Sequence, residues 1–376
     1  MLQSADYPDM KFLIASDKFK ESLSSLQAGR AIQQGILDIL PKARIKVYPI
    51  SDGGEGFCEA VKHYIGTKTI STSVKDPLFR KIKCSYEWDP KKRKAFIELA
   101  AASGLALLTP AERDPLETST WGTGQLIQNA LAKGAKEIII GMGGSATHDG
   151  GMGLAGAMGF VFLDEKGRKL LPAGKSLARV YTIIPPAHLP KVRFIICHDV
   201  RSKLCGKQGA AFLFASQKGA SRSAVTQLDQ GLSHLSVLLK KITGKNFSQL
   251  EGLGSAGGAA LLLTAFFPTR FSKGSAWMIR ISKLRLPIQQ SDWVISGEGK
   301  IDKTTFQGKI AGEIRSIAYA CRKKVVFFCG RCEPGVLKNN PWIQPLATGS
   351  LSKKKAIREA ATLLRKKTRR FFSTIA

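Results

Sequence analysis

Glycines set beside carboxylates and lysines recur along this 376-residue sequence, a combination suited to holding phosphate groups and a divalent cation. In Ser51-Asp52-Gly53-Gly54-Glu55-Gly56 the glycines let the backbone approach an anion, while two carboxylates could hold a magnesium ion or a sugar-acid hydroxyl. Ser296-Gly297-Glu298-Gly299-Lys300-Ile301-Asp302, with Lys309 following, mixes both signs as a metal-phosphate site would. Asp17, Lys18 and Lys20 follow a short apolar run, the position where open α/β sheets place their ligands.

The richest stretch, residues 141–153, reads Gly141-Met142-Gly143-Gly144-Ser145-Ala146-Thr147-His148-Asp149-Gly150-Gly151-Met152-Gly153. Gly141, Gly143 and Ala146 satisfy G-x-G-x-x-A after an apolar run, and Asp164 lies near the distance of a ribose-binding acid, so a nicotinamide dehydrogenase is a rival reading. Two features oppose it. That fingerprint should run straight into a helix, whereas residues 147–151 interrupt it, and Asp149 would set a negative charge near a pyrophosphate. A phosphate nest with its own carboxylate fits better. A Walker P-loop fails on spacing, because Lys169 stands where the first glycine before Gly174-Lys175-Ser176 belongs. The glycine patch Gly252-Leu253-Gly254-Ser255-Ala256-Gly257-Gly258 opens an apolar run and could receive an anion or serve close packing. His148 and His198 stand in such loops, each before an aspartate, and neither is assigned a catalytic role.

These loops need strands and helices to position them. Residues 12–15 read as a strand; Ser24-Ser25-Leu26-Gln27 then gives a capping-box pattern ahead of Ala28, Ile32, Ile36 and Ile39 at helical spacing. Strand 44–50, loop 51–56 and helix 57–65 repeat the scheme, which argues for a parallel sheet. From residue 67 the pattern changes to three short strand-like runs, 69–74, 82–88 and 95–99. Helices are expected at 123–132, 152–158, 223–242, 309–322 and 353–368, and strands at 137–140, 292–295 and 325–329. The last helix carries Ile357, Ala361 and Leu364 on one face and reads as docked on the surface.

The length favours two α/β domains. An apolar fraction of 44% with 37 clustered glycines is that of a globular chain with functional loops. The longest apolar run, residues 256–267, falls short of the roughly 20 residues of a membrane span. The first nine residues lack a secretory pattern, making a cytoplasmic location the expectation. Seven scattered cysteines, including the isolated pair Cys329 and Cys332, read as structural thiols. A formal charge of +30 makes nucleic acid a rival partner, but the cations are not interleaved with aromatic residues, and a solvated basic exterior is preferred.

Taken together, the loops resemble the bacterial type of glycerate kinase. The matching residues are Asp17 with Lys20-Glu21-Ser22-Leu23; Asp52-Gly53-Gly54-Glu55-Gly56; Phe96-Ile97-Glu98 with Ala100-Ala101-Ala102-Ser103-Gly104-Leu105; and Arg113-Asp114-Pro115-Leu116 with Gly122-Thr123-Gly124. They continue through Gly143-Gly144-Ser145-Ala146-Thr147, Asp149-Gly150-Gly151, Asp199-Val200, Gln217-Lys218-Gly219-Ala220, Gly297-Glu298-Gly299, Ile301-Asp302 and Gly308-Lys309. Departures fall at Ser16, Lys18, His148, Ser202, Lys203 and Ser216.

The resemblance implies ATP- and Mg2+-dependent phosphorylation of D-glycerate, more often at the 2-hydroxyl than the 3-hydroxyl; no obligatory nucleic acid and no membrane span are expected, and the sequence leaves the oligomeric state open. It implies a flavodoxin-like domain from residues 10–66 and 290–376, an inserted restriction-endonuclease-like α/β domain at 67–289, and a dispensable extension at 1–9. The expected catalytic residues are Asp149 as base, Lys20 and Asp199. Substrate falls to Asp17, Lys20, Asp52, Gly53, Gly54, Glu55 and Lys309. The nucleotide falls to Gly143, Gly144, Ser145, Thr147, Gly297, Glu298 and Gly299, and the metal to Asp52, Asp199 and Asp302.

Overall fold

A computed structural model of the chain describes residues 9–306, 308–338, 340–346 and 353–374; the expected extension at 1–9 lies outside them apart from Asp9. The described strands run, in chain order, β1 (Lys11–Ile14), β2 (Arg44–Val47), β3 (Lys68–Lys75), β4 (Lys81–Asp89), β5 (Lys94–Glu98), β6 (Glu137–Gly141), β7 (Val161–Leu163), β8 (Thr182–Ile184), β9 (Arg193–His198), β10 (Thr269–Lys273), β11 (Trp293–Ile301), β12 (Lys324–Cys332) and β13 (Ile343–Pro345).

The chain divides into two compact units, Met1–Asp52 with Gly274–Ala376, and Gly53–Lys273. These bounds differ from the expected 66/67 and 289/290. The helix Phe57–Ile65 packs on β4 and β5 through a buried face that includes Phe57, Ala60 and Val61, and the helix Gly274–Ser282 packs on the helix Ile310–Ala320. Each helix belongs to the sheet or helix it covers, not to the composition shift nearby.

In the first unit five parallel strands stand in the order β13-β12-β11-β1-β2. Numbered within the unit the order is 2-1-3-4-5, that of flavodoxin-like sheets, whose direction of winding reverses between the first and third strands, here β1 and β11. The central strands are apolar almost throughout, as parallel strands buried on both faces must be: Phe12, Leu13 and Ile14; Val294 and Ile295; Val326, Phe327 and Phe328. The helix Ser25–Leu37 begins with the expected capping box, Gln27 N–H donating to Ser24 Oγ (3.3 Å) and Ser24 N–H to Gln27 Oε1 (2.8 Å).

Two expectations change here. β11 does not end at residue 295: its pairing with β12 continues through Gly297↔Phe328, Glu298↔Cys329 and Lys300↔Arg331. Gly297, which resembles a loop glycine, serves strand contact, since a Cβ on it would sit 2.3 Å from the Phe328 carbonyl oxygen. The C-terminal segment forms two helices, Lys353–Arg358 and Ala360–Phe372, instead of one. Leu364, Thr368 and Phe372 form its buried face; Ala361, expected there, is exposed.

The second unit carries a six-stranded mixed sheet, β10-β9-β6-β5-β4-β3, parallel from β10 to β5 and antiparallel from β5 to β3. The antiparallel strands account for the change of pattern at residue 67. At the carboxyl ends of the parallel strands two glycine segments cross so closely that a Cβ on Gly143 would lie 2.5 Å from Gly54 Cα. Only glycine fits there.

Candidate active site

At the winding reversal of the first unit, β1 opens into residues 15–22. Its course is fixed by backbone bonds to β11: Ala15 N–H donates to Ile295 O and Asp17 N–H to Gly297 O, both 2.8 Å. Ser25 ties this segment to the end of the next crossover, its hydroxyl donating to Ser16 O (2.6 Å) and accepting from Ile50 N–H (2.9 Å). Phe19 and Leu23 close a tight turn in which Glu21 takes a left-handed conformation, φ 68°. A non-glycine residue is uncommon in that region.

The result is a cleft of about 500 Å³ whose polar lining includes Asp17, Lys20, Asp52, Glu298, Asp302 and Lys309. Six residues expected to bind substrate, nucleotide or metal thus share one cavity, and Gly299 lines it as well. Gly297 lies beneath as the backbone acceptor of Asp17. Lys18 Nζ approaches Asp52 Oδ1 at 3.4 Å, and Lys309 Nζ lies 3.9 Å from Asp302 Oδ1. Lys309 is also the N-cap residue of the helix Ile310–Ala320, whose first turn has no side-chain cap. Those N–H groups and the ammonium together suit an anion.

The cleft splits its acids into two kinds. Burial raises Asp17 to about 7, with Asp52 and Glu298 adding like charge and Lys18 opposing. Burial also raises Glu298 to about 7, opposed by Lys309 and Thr305, and its Oε1 has no hydrogen-bond partner among the described residues. For Asp302 burial acts upward too, but the Thr304 hydroxyl and backbone N–H, Lys309 and Lys300 outweigh it and hold the acid below its ordinary value. One acid that stays ionised beside two poised near neutrality is the division that acid–base chemistry uses.

The second unit contains Gly53, Gly54, Glu55, Gly143, Gly144, Ser145, Thr147, Asp149 and Asp199. Gly144 and Glu55 are exposed and Gly143 is half-buried, whereas Thr147 is wholly buried. Asp149 is corrected from base to structural tie. It has no exposed surface, and it accepts from Thr120 N–H and Oγ1 (both 2.7 Å), Gly151 N–H and Gly153 N–H (both 3.0 Å). Burial raises this carboxyl while those bonds oppose the rise. A carboxylate so occupied has nothing left for a substrate.

Lys218 was not singled out by its residue type, only by its place in the Gln217-Lys218-Gly219-Ala220 pattern. Its buried ammonium donates to Ser145 Oγ and Thr147 O, each at 2.8 Å, so it braces the glycine segment; burial lowers it to about 7 against the attraction of Asp149. His148 and His198 bond to the Ala210 and Val200 carbonyls, and burial lowers both. Cys329 and Cys332 are free thiols that burial pushes upward.

The dinucleotide alternative fails on geometry. No helix starts near Ala146: the next one, Met152–Ala157, begins after Gly151, and Asp164 is engaged with Arg168 at 2.9 Å in its own turn. Among the described residues no group of three or more His, Cys, Asp or Glu side chains is placed to hold a metal ion. No helix among them is long and apolar enough to cross a membrane.

Comparison with known proteins agrees with this arrangement. The sequence model of the glycerate kinase family matches residues 12–376. The chain is 37% identical over 324 residues to a protein of Escherichia coli named glycerate 2-kinase, covering 85% of each, and 37% identical over 300 residues to a glycerate kinase of Halalkalibacterium halodurans, covering 79% of each. Its fold is similar to the crystal structure of a candidate glycerate kinase 2 from Salmonella typhimurium, with a TM-score of 0.77, 34% identity, and coverage of 97% and 98% of the two chains.

Two outcomes follow from the burial of these acids. Replacing Asp149 by Ala leaves its four donors without an acceptor and is expected to destabilise the protein by about 3 kcal/mol or more in chemical denaturation; an unchanged midpoint would restore Asp149 as a free reactive group. Between pH 4.5 and about 7 folded Glu298 keeps a proton that the unfolded chain releases, so stability falls as pH rises across that window. Glu298→Gln is therefore expected to raise the thermal midpoint at pH 8 and leave it nearly unchanged at pH 4.5, and a lowered midpoint at pH 8 would contradict the assigned burial.

Proposed function

This chain belongs to the glycerate kinase family, and we propose that it transfers the γ-phosphoryl group of ATP to the 2-hydroxyl of D-glycerate. The glycerate oxygen bonds to phosphorus, the bond from phosphorus to the departing ADP oxygen breaks, and the hydroxyl proton passes to a carboxylate of the protein. Asp17 is that carboxylate. The reading is carried by the pairing of two half-buried acids poised near neutrality, Asp17 and Glu298, with lysines in one cleft at a winding reversal.

Phosphoryl transfer asks a protein chiefly to position the reactants and balance charge. Lys309 and the uncapped start of the helix Ile310–Ala320 offer a phosphate contact, and Lys20, exposed at the rim, suits the glycerate carboxylate. Burial is what chiefly keeps Asp17 basic, with Asp52 and then Glu298 adding like charge against Lys18. Magnesium, commonly bound by one or two carboxylates plus substrate phosphates, fits Asp52 and the ionised Asp302 and would supply charge neutralisation. The 2-position follows the name of the Escherichia coli relative.

The test is to incubate the protein with ATP, Mg2+ and D-glycerate, then add enolase without phosphoglycerate mutase. Glycerate-dependent ADP and phosphoenolpyruvate are expected. ADP without phosphoenolpyruvate would move the transfer to the 3-hydroxyl, and no glycerate-dependent ADP from folded protein would refute the kinase reading.

A further inference from the structure

The cleft of the first unit has linings of two kinds, and the chemistry proposed for it uses only one. Glycerate bears oxygen on every carbon and a triphosphate is wholly anionic, so neither has a face for hydrocarbon. Yet Leu346, Ala356, Ile357, Ala360 and Leu363 also line this cleft, and all but the buried Ala360 keep part of their surface exposed.

The arrangement comes from a helical segment with two apolar stripes. Leu364, Thr368 and Phe372 form the first, buried in the unit's core, where the Phe372 ring meets Phe12 and Trp293 edge-on at 5.4 and 5.5 Å. Ala356, Ile357, Ala360 and Leu363, at positions i, i+1, i+4 and i+7, form the second, which borders the cleft instead of a neighbouring element. A cavity of about 500 Å³ with apolar lining and a few convergent charges has the character of a small-molecule site. Two of the four stripe residues are alanines, so a flat ring can lie close to the helices between the larger Ile357 and Leu363.

Resting on the kinase reading, we infer that the second stripe and Leu346 seat the purine base of the phosphoryl donor, with its phosphates directed to the lysines of the polar lining. The C-terminal helices are then a nucleotide-recognition element as well as a cover for the sheet. Binding divides accordingly: the base contributes through apolar burial, while Lys309 and Lys300 contribute through charge.

Photolabelling of the full chain with 8-azidoadenosine triphosphate, followed by peptide mass spectrometry with and without excess ATP, reads the position directly. ATP-protected label is expected on Leu346 or within residues 354–363. Protected label confined to residues 53–273, or no protected label at all, overturns the inference; glycerate-dependent ADP formation then shows separately whether the kinase reading survives. As a second measurement, the uncharged substitution Leu363→Asn is expected to weaken ADP binding by about tenfold or more, with inorganic tripolyphosphate bound as by the unaltered protein. Equal weakening of both ligands, or of neither, contradicts a base seated on this wall.

Discussion

Everything proposed for this protein depends on the parallel pairing of β1 with β11. The two strands are about 280 residues apart in sequence, as the Ser16 hydroxyl to Gly297 carbonyl contact across 281 positions shows, yet their pairing sets Asp17 over Gly297 and beside Glu298. Side chains on either strand alone would be ordinary solvated acids. Brought together where the winding reverses, they lose water, sense each other's charge and rise toward neutrality. The apolar runs of β1, β11 and β12 supply the burial that makes this arrangement stable.

The basic excess of the chain acquires a consistent place in this account. A formal charge of +30 raises the local concentration of anions, and both proposed substrates are anionic. Within the cleft the balance is finer. Lys18 offsets Asp52 and Lys309 offsets Asp302 at distances of 3.4 and 3.9 Å, while Asp17 and Glu298 are left under-compensated. That local imbalance, more than the overall charge, supplies a proton acceptor.

Much of this was legible in the sequence wherever local chemistry decides the outcome. The Ser24 capping box, the strand–loop–helix opening and the grouping of Asp17, Asp52, Glu298 and Lys309 as site residues need only neighbouring residues and their spacing. What spacing leaves open is which partner lies across space. Gly297 and Gly299 carry a loop-like signal, but their strand character is set by β12. Asp149 looks reactive beside its glycines, and only the fold reveals four donors converging on it. Lys218 gives no sign of burial in a basic chain. In the C-terminal helices the expected face of Ile357, Ala361 and Leu364 mixes a cleft residue, an exposed one and a core one, because the break between the two helices resets the 3.6-residue period.

The central claim is that Asp17 takes the hydroxyl proton and that burial holds it near neutrality, with Asp52 and Glu298 adding like charge. The pH dependence of glycerate-dependent turnover tests it most directly, compared among the unaltered protein, Glu298→Gln and Asp17→Asn. A base must be ionised to act, so turnover should rise with pH and level off above about 7. Removing the Glu298 charge should shift that inflection to lower pH, and Asp17→Asn should lose about 10²–10³ in turnover along with the inflection. Full turnover in Asp17→Asn, or an inflection that persists in that variant, would contradict the account.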